Sequence, residues 1–249
     1  MPIRCLAKVL QYLGSADDGQ ASYHRSLTCD KSQVIISYPL RHLYQLNWLA
    51  HTLLSKTHID YQLGNVLADP LRGRGWKGAS KPLIQGMQMH RFIDKFTDQH
   101  PILATSKARL GDHGHLKGVV LDLLFDHFLS NSWSVYSQLD FDAYLQQFHQ
   151  ASVLTADDFP EKPKRIVKRM AETALLGQYL KFSGFVAALQ RIDQRLSERA
   201  FNKESASQYL PVVEQQYEFL VRDFHEFFPQ LVWYFKQHRL GSLTDHHLR

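Results

Sequence analysis

Histidine and aspartate recur in this chain on helix faces that should be apolar. Over residues 83–98, positions 83, 87, 90 and 94 form one stripe, because residues three and four apart lie on the same side of a helix. Leu83 and Met87 open the stripe and His90 and Asp94 continue it, while Gln85, Gln88, Arg91 and Lys95 fall on the other side. A second stripe, His115, Val119, Asp122, Asp126, Leu129 and Trp133, is set among Val120, Leu121, Leu123, Leu124, Phe125 and Phe128. Two carboxylates four apart in such a setting are costly unless paired or bound to a metal. His127 follows Asp126 directly. Adjacent helical residues diverge by about 100°, so both could reach an ion lying over the edge between them.

Two inward His/Asp sets point to a shared divalent metal. Mixed nitrogen and oxygen donors suit Mn²⁺, Fe²⁺ or Zn²⁺ better than Ca²⁺. Such an ion would polarise a phosphoryl oxygen and activate a water, giving hydrolysis without a covalent intermediate. No serine or cysteine nucleophile and no phosphate-cradling glycine loop of the P-loop type competes. The plainer alternatives stay open at this point: Asp94 and Asp98 paired with nearby lysines or arginines, and Asp122 bridged to an arginine across the bundle. The Arg191, Arg195, Arg199 row reads as a solvated helix face, Lys162–Arg169 is ambiguous, and Trp233-Tyr234-Phe235 reads as core.

The elements that must carry these residues are helical. Apolar spacing predicts helices over Asn47–Lys56, Tyr61–Ala68, Leu83–Asp98, Ile102–Asp112, Gly114–Trp133, Phe141–Phe148, Pro163–Leu180, Gly184–Leu196 and Pro211–Gln237, with no strand-period segment against them. Asp69–Pro82 is a break: Pro70, Gly73, Gly75, Gly78 and Pro82 alternate with Arg72, Arg74, Lys77 and Lys81, which makes a basic loop. The expected fold class is all-α, a single compact helical domain with short polar connections.

Composition bounds the rest. With 249 residues, 44% apolar and 21% charged, the chain can bury a sizeable core and is not disordered by composition. No stretch approaches the roughly 20 apolar residues of a membrane span, and a cytoplasmic address is expected. Two cysteines, Cys5 and Cys29, cannot build a disulfide framework or a cysteine zinc site. The net charge of +5 favours acidic partners without choosing among them.

Taken in order, these residues carry a resemblance. Asn47-Trp48-Leu49-Ala50-His51 resembles the opening of the acyl carrier protein phosphodiesterase family, and Gly64-Asn65-Val66-Leu67-Ala68-Asp69 is similar to its next element. His90-Arg91-Phe92-Ile93-Asp94 with Phe96-Thr97-Asp98-Gln99-His100-Pro101, then Asp122 with Asp126-His127-Phe128-Leu129 and Trp133, resemble the two that follow. The family is a divergent relative of the HD-type metal phosphohydrolases, so the resemblance implies an HD-like helical fold. It implies hydrolysis of the phosphodiester joining 4′-phosphopantetheine to a serine of acyl carrier protein, giving the apo-protein and free 4′-phosphopantetheine. It also implies a divalent metal, typically Mn²⁺, with Mg²⁺, Fe²⁺ or Co²⁺ as alternatives.

Carried onto this sequence, the candidate metal ligands are His51, Asp69, His90, Asp94, Asp122, Asp126 and His127. The catalytic candidates among them are Asp69, Asp94, Asp126 and His127. Asn65, Asp98 and His100 would orient ligands. Arg72, Arg74, Lys77 and Lys81, with Lys162–Arg169 as a second candidate patch, would meet the acidic carrier protein. The resemblance starts at Asn47, and residues 1–45 are expected to be a poorly structured extension, with Leu46 standing where an initiator methionine would be. The rival readings are a related metal phosphohydrolase acting on a nucleotide or other small phosphodiester, and a non-catalytic helical binder of an acidic protein.

Overall fold

The computed structural model describes residues 48–249. The expectations for residues 1–45, and for Leu46 and Asn47, lie outside the described residues. Eleven α-helices follow in order among them: α1 Trp48–Leu53, α2 Ile59–Leu67, α3 Lys81–Gln99, α4 Pro101–Arg109, α5 Lys117–Asn131, α6 Trp133–Tyr136, α7 Phe141–Ala156, α8 Glu161–Glu172, α9 Phe182–Asp193, α10 Glu198–Phe201 and α11 Leu210–Gln237. Short 3₁₀ turns at Leu175–Leu180 and Ser207–Tyr209 complete the path. The described residues hold no strand, only one isolated bridge between Ser137 and Leu248. The fold is all-α.

Helix α5 is the centre of the core. It is apolar on nearly every side, and Val120, Leu123, Leu124, Phe128 and Leu129 are fully or almost fully buried, as expected of a helix without a wet face. It begins later than its apolar pattern suggests. The Glu204 carboxylate accepts from the amides of His115 (2.8 Å) and Leu116 (2.7 Å), and this cap from a distant loop holds the turn before Lys117 outside the helix.

Helices α2 and α3 pack backbone to backbone. A Cβ on Gly64 would stand 2.0 Å from the Leu83 carbonyl oxygen, and one on Gly86 would stand 2.0 Å from the Tyr61 carbonyl oxygen. Only glycine at both positions permits that approach. Ser80 caps α3 and Pro82 sits in its first turn, as the start rules anticipate. Helix α11 is tied to α4 where Asp223 accepts from Arg109 Nε (2.9 Å) and Ser106 Oγ (2.8 Å).

Two further boundaries and one core expectation differ from the sequence reading. The helix expected over Pro163–Leu180 breaks after Glu172 because Ala174 adopts a left-handed conformation with φ 45°, and the chain resumes as a 3₁₀ turn. The helix expected over Phe141–Phe148 runs on to Ala156. Of Trp233-Tyr234-Phe235, only Phe235 is fully buried and Trp233 is 64% exposed. Three consecutive residues sweep about 200° of a helix, so one core-facing side cannot bury them all. None of the described helices is long and apolar enough to cross a membrane.

Candidate metal centre

Four of the sequence candidates meet at one place, delivered by three elements. His51 comes from α1, Asp69 from the turn closing α2, and His90 and Asp94 from successive turns of α3. His51 Nε2 lies 3.4 Å from Asp94 Oδ1. His90 Nε2 lies 3.2 Å from Asp94 Oδ2 and 3.1 Å from Asp69 Oδ1. The two imidazoles stack with centroids 4.0 Å apart and planes at 24°. One ligand atom each from His51, His90 and Asp94 falls within a common 4.8 Å, the separation expected around a metal ion. The histidines are buried, whereas Asp94 and Asp69 keep 43% and 24% of their side-chain area open to solvent. The site therefore has a closed floor and an open rim.

The tautomer of His51 follows from its neighbour. Asn65 is fully buried, and its amide nitrogen donates to the His51 carbonyl (2.8 Å), the Leu54 carbonyl (3.2 Å) and Ser55 Oγ (3.0 Å). Those acceptors fix the orientation of the amide, so Oδ1 faces His51 Nδ1 at 2.9 Å and takes its proton. Nε2 then presents a lone pair toward the Asp94 carboxylate. Burial first, and then the His90 charge, lower the His51 pKa and keep the ring neutral. Two acceptors facing each other at 3.4 Å repel unless a cation lies between them, and that is the arrangement of a metal ligand whose other nitrogen is held by a second residue.

His90 presses the same point. Its Nε2 is close to two carboxylates, yet neither is aligned for a hydrogen bond, and its buried Nδ1 has no partner either. The contacts are ionic rather than directional. Burial alone would lower the His90 pKa, but the charges of Asp94 and Asp69 raise it well above the ordinary value. Burial alone would raise Asp94, but His90 and His51 hold it below the usual carboxylate range. No lysine or arginine among the described residues forms an ion pair with Asp69 or Asp94. The donor set, two imidazole nitrogens and two carboxylates, fits a first-row divalent ion.

Asp122 stands next to this cluster. With His51 it lines a small cavity otherwise walled by Ala50, Ile93, Thr97, Phe125 and residues of α11. Burial, then the charge of Asp94, raise its carboxyl well above the usual range. Asp98 is raised to about 7 by burial and then by Asp94. The charge of Lys107 offsets part of this rise in both Asp98 and Asp122.

The structure takes Asp126 and His127 elsewhere. Asp126 is fully buried and its carboxylate accepts from the amides of Leu49 (3.2 Å) and Ala50 (3.1 Å). His127 Nδ1 pairs with the Tyr179 carbonyl oxygen at 2.6 Å and its Nε2 with Tyr217 Oη at 3.1 Å. His100 caps α4 through Ile102 N (3.3 Å) and meets Gln230 (3.2 Å). Arg72, Arg74 and Lys77 are exposed on the connection leading into α3, and Lys81 is exposed at its first residue. Sequence reasoning missed Phe224, Phe227, Phe228 and Leu231, which wall the cavity from α11. Their spacing marks a helix face, but not what that face covers.

Comparison with known proteins gives the family. The family model described as acyl carrier protein phosphodiesterase matches residues 46–231. An acyl carrier protein phosphodiesterase of Serratia proteamaculans is 28% identical over 206 residues, covering 78% of this chain and 100% of that protein. One from an Enterobacter species is 23% identical over 189 residues, 75% of this chain and 96% of its own length. One from Escherichia coli is 32% identical over 126 residues, 49% of this chain and 63% of that protein. No solved structure matches.

Proposed function

The chain belongs to the acyl carrier protein phosphodiesterase family, and on that premise we propose that it hydrolyses the phosphodiester between 4′-phosphopantetheine and a serine of holo-acyl carrier protein. Water adds to phosphorus, the bond from phosphorus to the serine oxygen breaks, and that oxygen takes a proton. The products are the apo-protein and 4′-phosphopantetheine.

The observation that carries this reading is the lone pair of His51 Nε2 facing Asp94 across 3.4 Å, with no lysine or arginine among the described residues ion-paired to that carboxylate. His51, His90 and Asp94 hold a divalent ion, with Asp69 and Asp122 beside it. Mn²⁺ suits the mixed donors, and Mg²⁺, Fe²⁺ or Co²⁺ would fit the same set. When bound, the ion polarises the phosphoryl oxygen and lowers the pKa of a water. Asn65 keeps His51 in the tautomer that can ligate. Asp69, the carboxylate beside His90 and open to solvent, receives the proton of the attacking water. Asp126 and His127 are left out of this assignment because their polar atoms are engaged by Leu49, Ala50, Tyr179 and Tyr217. The substrate protein is acidic, and exposed Arg72, Arg74, Lys77 and Lys81 steer its approach, an effect on encounter more than on affinity. The setting we propose is the cytoplasm.

The test incubates the full chain with holo-acyl carrier protein and Mn²⁺ and follows the intact mass of the carrier. Loss of the phosphopantetheine mass is expected, and it should vanish with chelator and with Asp94→Ala. An unchanged mass with metal bound would move the activity to another phosphodiester, such as a nucleotide. An unchanged mass with no metal bound would leave a binding protein.

A further inference from the structure

Helix α1 is too short to hold itself. Six residues fall well below the length at which an isolated helix persists, yet this helix must place His51 against residues of α3 to within a fraction of an ångström. Its first turn exposes amides with no partner inside the helix. Two of them, Leu49 N and Ala50 N, donate to the two oxygens of Asp126 at 3.2 and 3.1 Å, across 77 and 76 residues of chain. Its far end is tied by Asn65, which takes the His51 and Leu54 carbonyls, and by Ser55 Oγ, which donates to the His51 carbonyl at 2.8 Å. The helix is thus fixed at both ends by side chains rather than by its own length.

We propose that Asp126 is a positioning residue: by accepting the Leu49 and Ala50 amides it sets the axis of α1 and so the place where the His51 imidazole stands opposite His90 and Asp94. Asn65 sets the rotation of the ring and Asp126 sets the backbone that carries it. A carboxyl group suits this work because it offers two oxygens to two amides; burial raises its pKa to about 7, and the Ala50 and Leu49 amides draw it down. The donor atoms that converge on one point come from His51, His90 and Asp94, and Asp126 is not among them. Asp126 is fully buried behind α1, away from the open rim where Asp94 meets solvent. This inference rests on the proposed reading of His51 as a metal donor.

The experiment compares Asp126→Ala, Asp126→Asn and Asp94→Ala in two measurements. The first is hydrogen exchange of the Leu49 and Ala50 amides in metal-free protein. The second is the affinity for Co²⁺, followed by the ligand-field absorption of the bound ion. Asp126→Ala should speed exchange at both amides by about tenfold or more, since each loses its buried hydrogen-bond acceptor. It should also weaken Co²⁺ by about 10- to 100-fold, as removal of a supporting residue does, and shift the absorption. Asp126→Asn keeps one acceptor oxygen and turns a donor toward the other amide, so it should leave only one of the two amides protected and bind Co²⁺ with an affinity between those of wild type and Asp126→Ala. Asp94→Ala should abolish Co²⁺ binding and leave the two amides protected. If Asp126→Asn loses Co²⁺ as fully as Asp94→Ala while the amides stay protected, Asp126 is itself a ligand and the inference is overturned. If wild type binds no metal at all, the metal reading fails, and the exchange measurement still decides whether Asp126 pins α1. Should Asp126→Ala fail to fold, Asp126→Asn alone carries both readouts.

Discussion

His51 and His127 are both buried histidines in helices, and they are used in opposite ways. His127 spends both ring nitrogens on fixed partners, Tyr179 and Tyr217, inside a shell of aromatic rings. His51 spends only Nδ1, and its Nε2 is aimed at a carboxylate that offers it no proton to share. The same contrast holds for acids. Asp126 is satisfied by two amides, while Asp94 and Asp69 face only imidazoles. A satisfied polar group stabilises a fold. A set of donors that satisfy one another poorly is what a cation can complete.

Three measurements would break or sharpen that contrast. The largest effect is expected from Asn65→Ala, which frees His51 to take the other tautomer. Metal affinity should fall by about 10- to 100-fold, and calorimetric titration with Mn²⁺ reads it. An unchanged affinity would mean that the His51 tautomer is set by something else. Next comes pH. The charges of Asp94 and Asp69 hold a proton on His90 above its ordinary range, and a protonated imidazole cannot ligate. Metal affinity should therefore rise with pH, by up to about tenfold per unit, and level off once His90 has lost its proton. The same titration repeated across pH would refute this if affinity were flat. The smallest effect on metal is expected from His127→Ala. It should lower stability by roughly 1–3 kcal/mol, since the Tyr179 carbonyl and Tyr217 hydroxyl lose a buried partner, and leave Mn²⁺ affinity as it was. A loss of metal with unchanged melting would place His127 back among the ligands.

The legible part of this site was the part with a wet side to measure against. Helix α3 carries Arg91 and Lys95 outward, so the inward direction of His90 and Asp94 could be read from spacing alone. Helix α5 offers no such reference. It is apolar all round, and whether Asp122, Asp126 and His127 look toward one ion or toward three different neighbours depends on helices distant in the chain. The amides that take Asp126 lie more than 70 residues away, and the Tyr179 carbonyl that takes His127 belongs to a turn that periodicity had read as continuous helix. The all-helical fold class was legible because its signal repeats in every segment. The break at Ala174 was not, since no glycine or proline marks it.

The crossing of α2 and α3 has a consequence for the spacing of Asp69 and His90. At Gly64 and Gly86 the two helices touch main chain to main chain, and a contact of that kind has no rotamers to turn. Asp69 follows the end of one helix and His90 rides on the other, so the main chains that carry the two residues are locked together. A side chain added at either glycine would part the helices and spread His90 from Asp69, whose atoms now stand 3.1 Å apart, without touching either residue.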